Sequence, residues 1–347
     1  MRKAAVGAGT AVLAGLLLTQ NEARHQDPAP EPAFVAFRVD EHRVIATIRV
    51  MEPMAKQVRE GLSAEPVARF GYQHFELPAS WRERVPAGIR DAKRWVVHAA
   101  PGQAFDAEAE RIVGGNAQCT EAVGVLLRID APRAAAFAAL PARYFVADAS
   151  VPRDVPAAGS RSPVRVLSSP ALTVEQRRAF ESILNQVLMQ ELPRVRADAE
   201  PHRVGSRART PQRREIDEAL ARGHGELRYD IQSFQLAPDG VPLHFVRAEW
   251  SVQRRQGFAV SLWMRGEQPI EIIQTNLRPA SWLRMSLFQG KVAPEHLGLV
   301  LNVLDRDHDG WGEVLMSQDG YEGRSIQLFE YSPSGFQPTG TEFACGC

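Results

Sequence analysis

From Glu226 to the carboxy terminus, short apolar and β-branched runs are cut at regular intervals by turn signals, a pattern that calls for antiparallel β-structure. Leu227 to Leu236, Leu243 to Val252, Gly257 to Met264, Ile270 to Gln274, Leu297 to Leu304, Val314 to Ser317, Ser325 to Tyr331 and the stretch from Phe336 onward read as strands. Pro238-Asp239-Gly240 is the plainest turn between them, because proline presets φ and glycine accepts a positive one. Residues 226–347 are therefore expected to form a β-meander.

Residues 33–153 show the same signal less regularly. Phe34 to Val39, Val44 to Val50, Trp95 to His98, Val123 to Ile129 and Tyr144 to Ala147 have strand length and composition, with short helices expected around Met54 to Gly61 and Ala131 to Leu140. Residues 154–225 differ. Asp154 to Pro163 is a linker rich in Pro, Gly, Ser and Arg, and Thr173 to Glu191 is the clearest helix of the chain. Thr173 and Gln176 have capping-box spacing, while Phe180, Ile183, Leu184, Val187 and Leu188 recur on one helical face. Arg194 to Arg214 reads as a solvated loop, and Thr210 to Gly223 as a second short helix. The fold class is thus mainly β with a helical middle segment, α+β.

Residues 1–23 have the form of a signal peptide, with Arg2 and Lys3 ahead of the uncharged stretch Ala4 to Leu18, which is shorter than the roughly 20 residues of a membrane span. Residues 24–32 are a Pro-rich spacer. The protein is expected to be periplasmic, or secreted or at the cell surface, with an amino-terminally anchored envelope protein as the alternative. In an oxidising compartment Cys119, Cys345 and Cys347 allow one bridge, from Cys119 to either terminal cysteine. The 41 Lys+Arg balance the 41 Asp+Glu, so no overall field draws the chain to nucleic acid or to an anionic membrane.

One segment carries chemistry. Asp305-Arg306-Asp307-His308-Asp309-Gly310-Trp311-Gly312-Glu313 sets carboxylates at loop positions 1, 3, 5 and 9, with glycine at position 6 for a sharp reversal and the Trp311 carbonyl as a further oxygen. Carboxylates so crowded repel one another unless a hard divalent cation lies among them, and Ca2+, with its tolerant all-oxygen shell, suits the set better than Mg2+ or Zn2+. Met316 stands where an EF-hand has its bidentate Glu, and strands rather than helices flank the loop. Leu299 to Leu304, the loop, Val314 to Met316 and the Gly320-Tyr321-Glu322-Gly323 turn together resemble the FG-GAP or VCBS repeat of integrin-type β-propellers, whose calcium loop has the form Asp-x-Asp-x-Asp-Gly-x-x-Asp/Glu between two strands. The resemblance covers one copy near the carboxy terminus. It implies a meander like a propeller blade, with Asp305, Asp307, Asp309, the Trp311 carbonyl and Glu313 as Ca2+ ligands.

Enzyme signatures are missing by comparison. Arg111-Ile112-Val113-Gly114-Gly115 matches a serine-protease activation site, but no histidine or serine downstream has the matching setting, so it reads as a strand entering a glycine turn. No nucleophile elbow, zinc-protease helix, phosphate loop or dinucleotide fingerprint occurs, and no catalytic or organic-cofactor residue is assigned. Trp250, Trp263, Trp282 and Trp311 are expected to pack β-sheets rather than line a sugar surface. The residues point to an exported calcium-binding β protein with a binding or structural role towards a protein or glycan. The alternative is a secreted hydrolase of polysaccharide, peptide or ester, stabilised by calcium.

Overall fold

The computed structural model describes residues 33–48, 68–70, 72–116, 123–149, 162–168, 172–182, 227–253, 256–266, 268–270, 282–284, 299–319 and 323–346. The signal segment, the spacer, the helix expected at Met54 to Gly61, most of the linker, the Arg-rich stretch with its short helix, and the cysteine pairing lie outside these residues. Among the described residues no helix is long and apolar enough to cross a membrane.

Three antiparallel sheets organise the described residues. In the first, β1 (Ala33–Arg38), β2 (Arg43–Ile48), β5 (Arg94–Ala100), β6 (Gln103–Asn116), β7 (Val123–Ile129) and β8 (Tyr144–Ala149) pair in the ring β6-β5-β8-β1-β2-β7 and back to β6, a closed six-stranded barrel. Strands β3 (Ala68–Phe70) and β4 (Tyr72–Glu76) extend it from the far end of β6. The alternation of side chains sends Ala36, Val44, Ala46, Trp95, Val97, Phe105, Val125, Leu127 and Phe145 into one buried cluster. Helix α1 (Ala79–Arg82) and helix α2 (Ala87–Arg90) are single turns, whereas α3 (Ala131–Ala138) seats Phe137 5.3 Å from Phe105 and 5.1 Å from Phe145. Arg38 covers this helix: its guanidinium lies 4.5 Å from the Phe137 ring centre and donates to the carbonyls of Phe137, which also accepts the Leu140 N–H, and Ala138 in the last turn. The Arg111–Gly115 stretch corrects one expectation, because Gly114 and Gly115 lie inside β6 and pair with Val123 and His74 rather than turning the chain.

The second sheet has the order β13-β12-β11-β10-β9, from β9 (Arg165–Leu167), β10 (Leu227–Gln235), β11 (Pro242–Gln253), β12 (Gln256–Arg265) and β13 (Gln268–Ile270), with β14 (Trp282–Arg284) also on β12. Helical residues 174–182 follow β9 with the expected capping box: the Thr173 N–H donates to Gln176 Oε1 and the Gln176 N–H to Thr173 Oγ1. Phe180 is buried there, and the rest of the expected helical stripe lies outside the described residues.

The third sheet is the carboxy-terminal meander, β15 (Leu299–Leu304), β16 (Glu313–Asp319), β17 (Gly323–Ser332) and β18 (Gly335–Gly346), in chain order. Both of its faces are buried. Leu304, Leu315, Ile326, Leu328 and Phe343 pack against Val35, Phe37 and Val146 on the outside of the barrel. Val303, Val314, Met316, Phe329, Tyr331 and Phe336 pack against Phe234, Leu236, Phe245 and Trp263 of the second sheet. A sheet buried on both sides loses polar alternation, which is why Val314-Leu315-Met316 and Ile326 to Phe329 read as nearly continuous apolar runs. Asn302 ties the meander to the barrel, its amide donating to the carbonyls of Ala99 (2.8 Å) and Tyr144 (2.9 Å). Trp263 is core, as expected from the sequence.

Candidate metal centre

The hairpin between β15 and β16 is the Asp305–Glu313 segment, and it sits where the three sheets converge. Its turn is forced by backbone conformations that few residues accept: His308 has φ 62° and Gly310 φ 88°. Gly312 is required for a different reason. A Cβ there would lie 2.8 Å from Leu236 Cδ2 and 3.2 Å from Val164 Cγ1, while the Gly312 N–H donates to the Leu236 carbonyl and the Tyr331 N–H donates to the Gly312 carbonyl. The loop backbone is thereby stitched to the second sheet on one side and to β17 on the other.

Asp305, Asp307 and Asp309 come together, each offering a carboxylate oxygen within 4.8 Å of the others, Asp305 buried and the other two exposed. Oxygens this close could share one hard cation, whose bonds to oxygen run ~2.3–2.6 Å for Ca2+. Hydrogen bonds hold the carboxylates in place: Gly310 N–H donates to Asp305 Oδ1 (3.4 Å), Asp309 N–H to Asp307 Oδ1 (3.3 Å) and Trp311 N–H to Asp309 Oδ1 (2.7 Å). The Ser162 hydroxyl donates to Asp305 Oδ2 and accepts the Val164 N–H at 3.1 Å, so the segment ahead of β9 braces the cluster. Burial, joined by repulsion from Asp307 and Asp305, raises the Asp309 pKa against the opposing Trp311 hydrogen bond. Among the described residues no Arg, Lys or His pairs with these three aspartates.

Glu313 is arranged differently. It is buried at the start of β16, and its carboxylate accepts the Arg306 N–H at 2.8 Å and lies 3.4 Å from Arg306 Nε. Burial pushes its pKa up from 4.5 to about 7, with Asp307 adding to the shift and Arg306 opposing it. The loop's own cation therefore serves Glu313 and, through its other arm, Asp148 on β8 (3.1 Å). Burial weighs against the charge on Arg306, and these two carboxylates outweigh it and raise its pKa. Trp311 contributes its N–H to Asp309, and its half-buried ring lies 6.1 Å from that of Tyr331.

Sequence reading missed Ser162, Asp148 and Glu330. Glu330 stands opposite Glu313 in the β16–β17 register, and burial together with the charges of Asp307 and Asp309 raises its pKa. Counting outward from the Gly320 to Gly323 turn gives that register, so Glu330 was within reach of the sequence. Ser162 and Asp148 are 143 and 158 positions from their partners, and no local pattern announces them.

Two other places bear on the hydrolase alternative. Ser233 Oγ lies 2.7 Å from His244 Nδ1 in a buried pair, and His244 Nε2 is 3.4 Å from Gln176 Nε2. Gln176 Oε1 accepts the Thr173 N–H, which turns its NH2 towards the His244 ring. Burial also lowers the His244 pKa. A cavity of about 650 Å³ on the outside of the barrel is lined by Arg43, Glu108, Glu110, Arg111 and Arg128, and its acids are paired, Glu110 with Arg128 (2.5 Å) and Glu108 with Arg94 (3.1 Å). Comparison with family models, with curated proteins and with solved structures finds no match to this chain.

Proposed function

We propose that this is an exported calcium-binding β protein, with a binding or structural role in the periplasm or at the cell surface towards a protein or glycan. The observation that carries the reading is the convergence of Asp305, Asp307 and Asp309 with no cation paired to them among the described residues, while the neighbouring arginine is committed elsewhere. An all-carboxylate oxygen set of this spacing suits a hard ion, and Zn2+ would favour nitrogen or sulfur ligands. On this reading Asp305, Asp307 and Asp309 hold Ca2+, the Trp311 carbonyl completes the loop, and Glu313 joins by giving up Arg306. The ion's contribution is to cancel the repulsion among the carboxylates and so fix a hairpin that contacts all three sheets. The FG-GAP-like spacing supports the same ligand set.

The test is a thermal unfolding series in chelator, Ca2+ and Mg2+. Ca2+ is expected to raise the midpoint more than Mg2+ at equal concentration, and the rise is expected to vanish in Asp307→Ala/Asp309→Ala. Identical curves in chelator and Ca2+ would refute the reading.

A further inference from the structure

A buried chain of charged and polar side chains runs from the barrel into the hairpin. His98 Nε2 on β5 lies 3.0 Å from Asp148 Oδ2 on β8, Asp148 Oδ1 lies 3.1 Å from Arg306 NH1, and Arg306 Nε lies 3.4 Å from Glu313 Oε1. All four side chains are 17% exposed or less. Arg306 is thus a single guanidinium divided between a carboxylate of the barrel and a carboxylate of its own hairpin. Its backbone is held as well, since the Arg306 N–H donates to the other Glu313 oxygen. Asp148 is pinned on its far side by His98, and β5 and β8 are hydrogen-bonded neighbours in the barrel wall.

We infer that Arg306 is an interlock: it couples the seating of the barrel on the carboxy-terminal sheet to the backbone conformation of the Asp305–Glu313 loop. The physical reason is that neither carboxylate has a second cation to fall back on among the described residues other than His98 on Asp148. A largely buried carboxylate that loses its guanidinium loses its main compensating charge, so a shift of the loop that pulls Arg306 off Asp148 is resisted from the barrel side, and lifting the barrel strands loosens the loop. Asn302 supplies a second tie between the same two sheets through the Ala99 and Tyr144 carbonyls without contact to Arg306, which gives a built-in control. The interlock requires no bound ion.

The test is site-resolved amide hydrogen exchange on the full chain in chelator, so that its outcome is independent of whether calcium binds. Asp148→Asn, a change on the barrel, is expected to speed exchange of the Arg306 and Gly312 amides by about tenfold while leaving amides of the β17–β18 pairing unchanged. Asn302→Ala is expected to change the Arg306 amide by less than about twofold. In the reverse direction, Glu313→Gln is expected to move the imidazole resonances of His98, with the two side chains Arg306 and Asp148 between them, because coupling between sites is reciprocal. Loop amides indifferent to Asp148→Asn, or accelerated equally by Asn302→Ala, would overturn the inference. If Asp148→Asn does not fold, an unmoved His98 signal in Glu313→Gln overturns it alone.

Discussion

The barrel and the Asp305–Glu313 hairpin both close a β-structure, but the barrel closes on apolar side chains and the hairpin on charge. In the barrel, six strands pair around their full circle and Phe137 plugs the interior from a short helix, so the closed state needs nothing beyond the chain itself. The hairpin is bent by two left-handed residues and fills its concave side with three carboxylates. On the proposed reading, the stability of the hairpin depends on what neutralises its carboxylates, and that of the barrel does not. On that reading the two regions are expected to answer Ca2+ differently, the hairpin responding and the barrel not.

The largest effect is expected on the apolar side. Phe137→Ala removes a fully buried ring that touches Phe105, Phe145 and the Arg38 guanidinium, and is expected to cost about 3–5 kcal/mol in denaturant unfolding, equally with and without Ca2+. A loss that shrinks when Ca2+ is added would break the separation between the regions. On the charged side, Glu313 has a folded pKa of about 7 against an ordinary 4.5, so the folded chain holds a proton that the unfolded chain releases between those values. Its contribution is therefore fully present below pH 4.5 and is lost as pH rises to about 7, amounting to about 3 kcal/mol. His244 acts with the opposite sign: its lowered pKa gives stability above pH 6.5 that fades as pH falls. The expected result is accordingly a difference, wild type minus Glu313→Gln in chelator, that grows as pH is lowered from 7 to 4.5; a flat difference would contradict the burial of that carboxylate.

Calcium is next in size. If the proposed site binds near 10 µM, about 1 mM Ca2+ is expected to stabilise the fold by roughly 2.7 kcal/mol, readable as a higher denaturant midpoint that depends on ion concentration. Smallest is the local capping box, where Thr173→Ala is expected to cost about 1 kcal/mol and to be blind to both pH and Ca2+.

The strands of residues 226–347 were legible because turn residues and apolar runs are local signals, and β10, β11, β12 and β15 to β18 lie where those signals put them. The long β6 was not, since Ala104 to Glu110 mixes small and acidic residues whose strand state is decided by pairing on both sides, and since Gly114-Gly115 imitates a turn. Barrel closure was equally hidden: it rests on the β6–β7 pairing, a register between segments that periodicity within each strand does not encode. At the metal centre the three aspartates were legible from alternate spacing in a tight turn. The commitment of Glu313 to Arg306 was not, because it depends on the depth at which the hairpin is buried between two other sheets.

The most direct test of the central claim is a calorimetric Ca2+ titration of the purified chain beside its Asp307→Ala/Asp309→Ala variant. Saturable binding of one ion by the wild type, abolished in the variant, is the expected result. Absence of binding up to millimolar Ca2+ in a folded wild-type chain would reduce the hairpin to an acidic turn and contradict the proposed function.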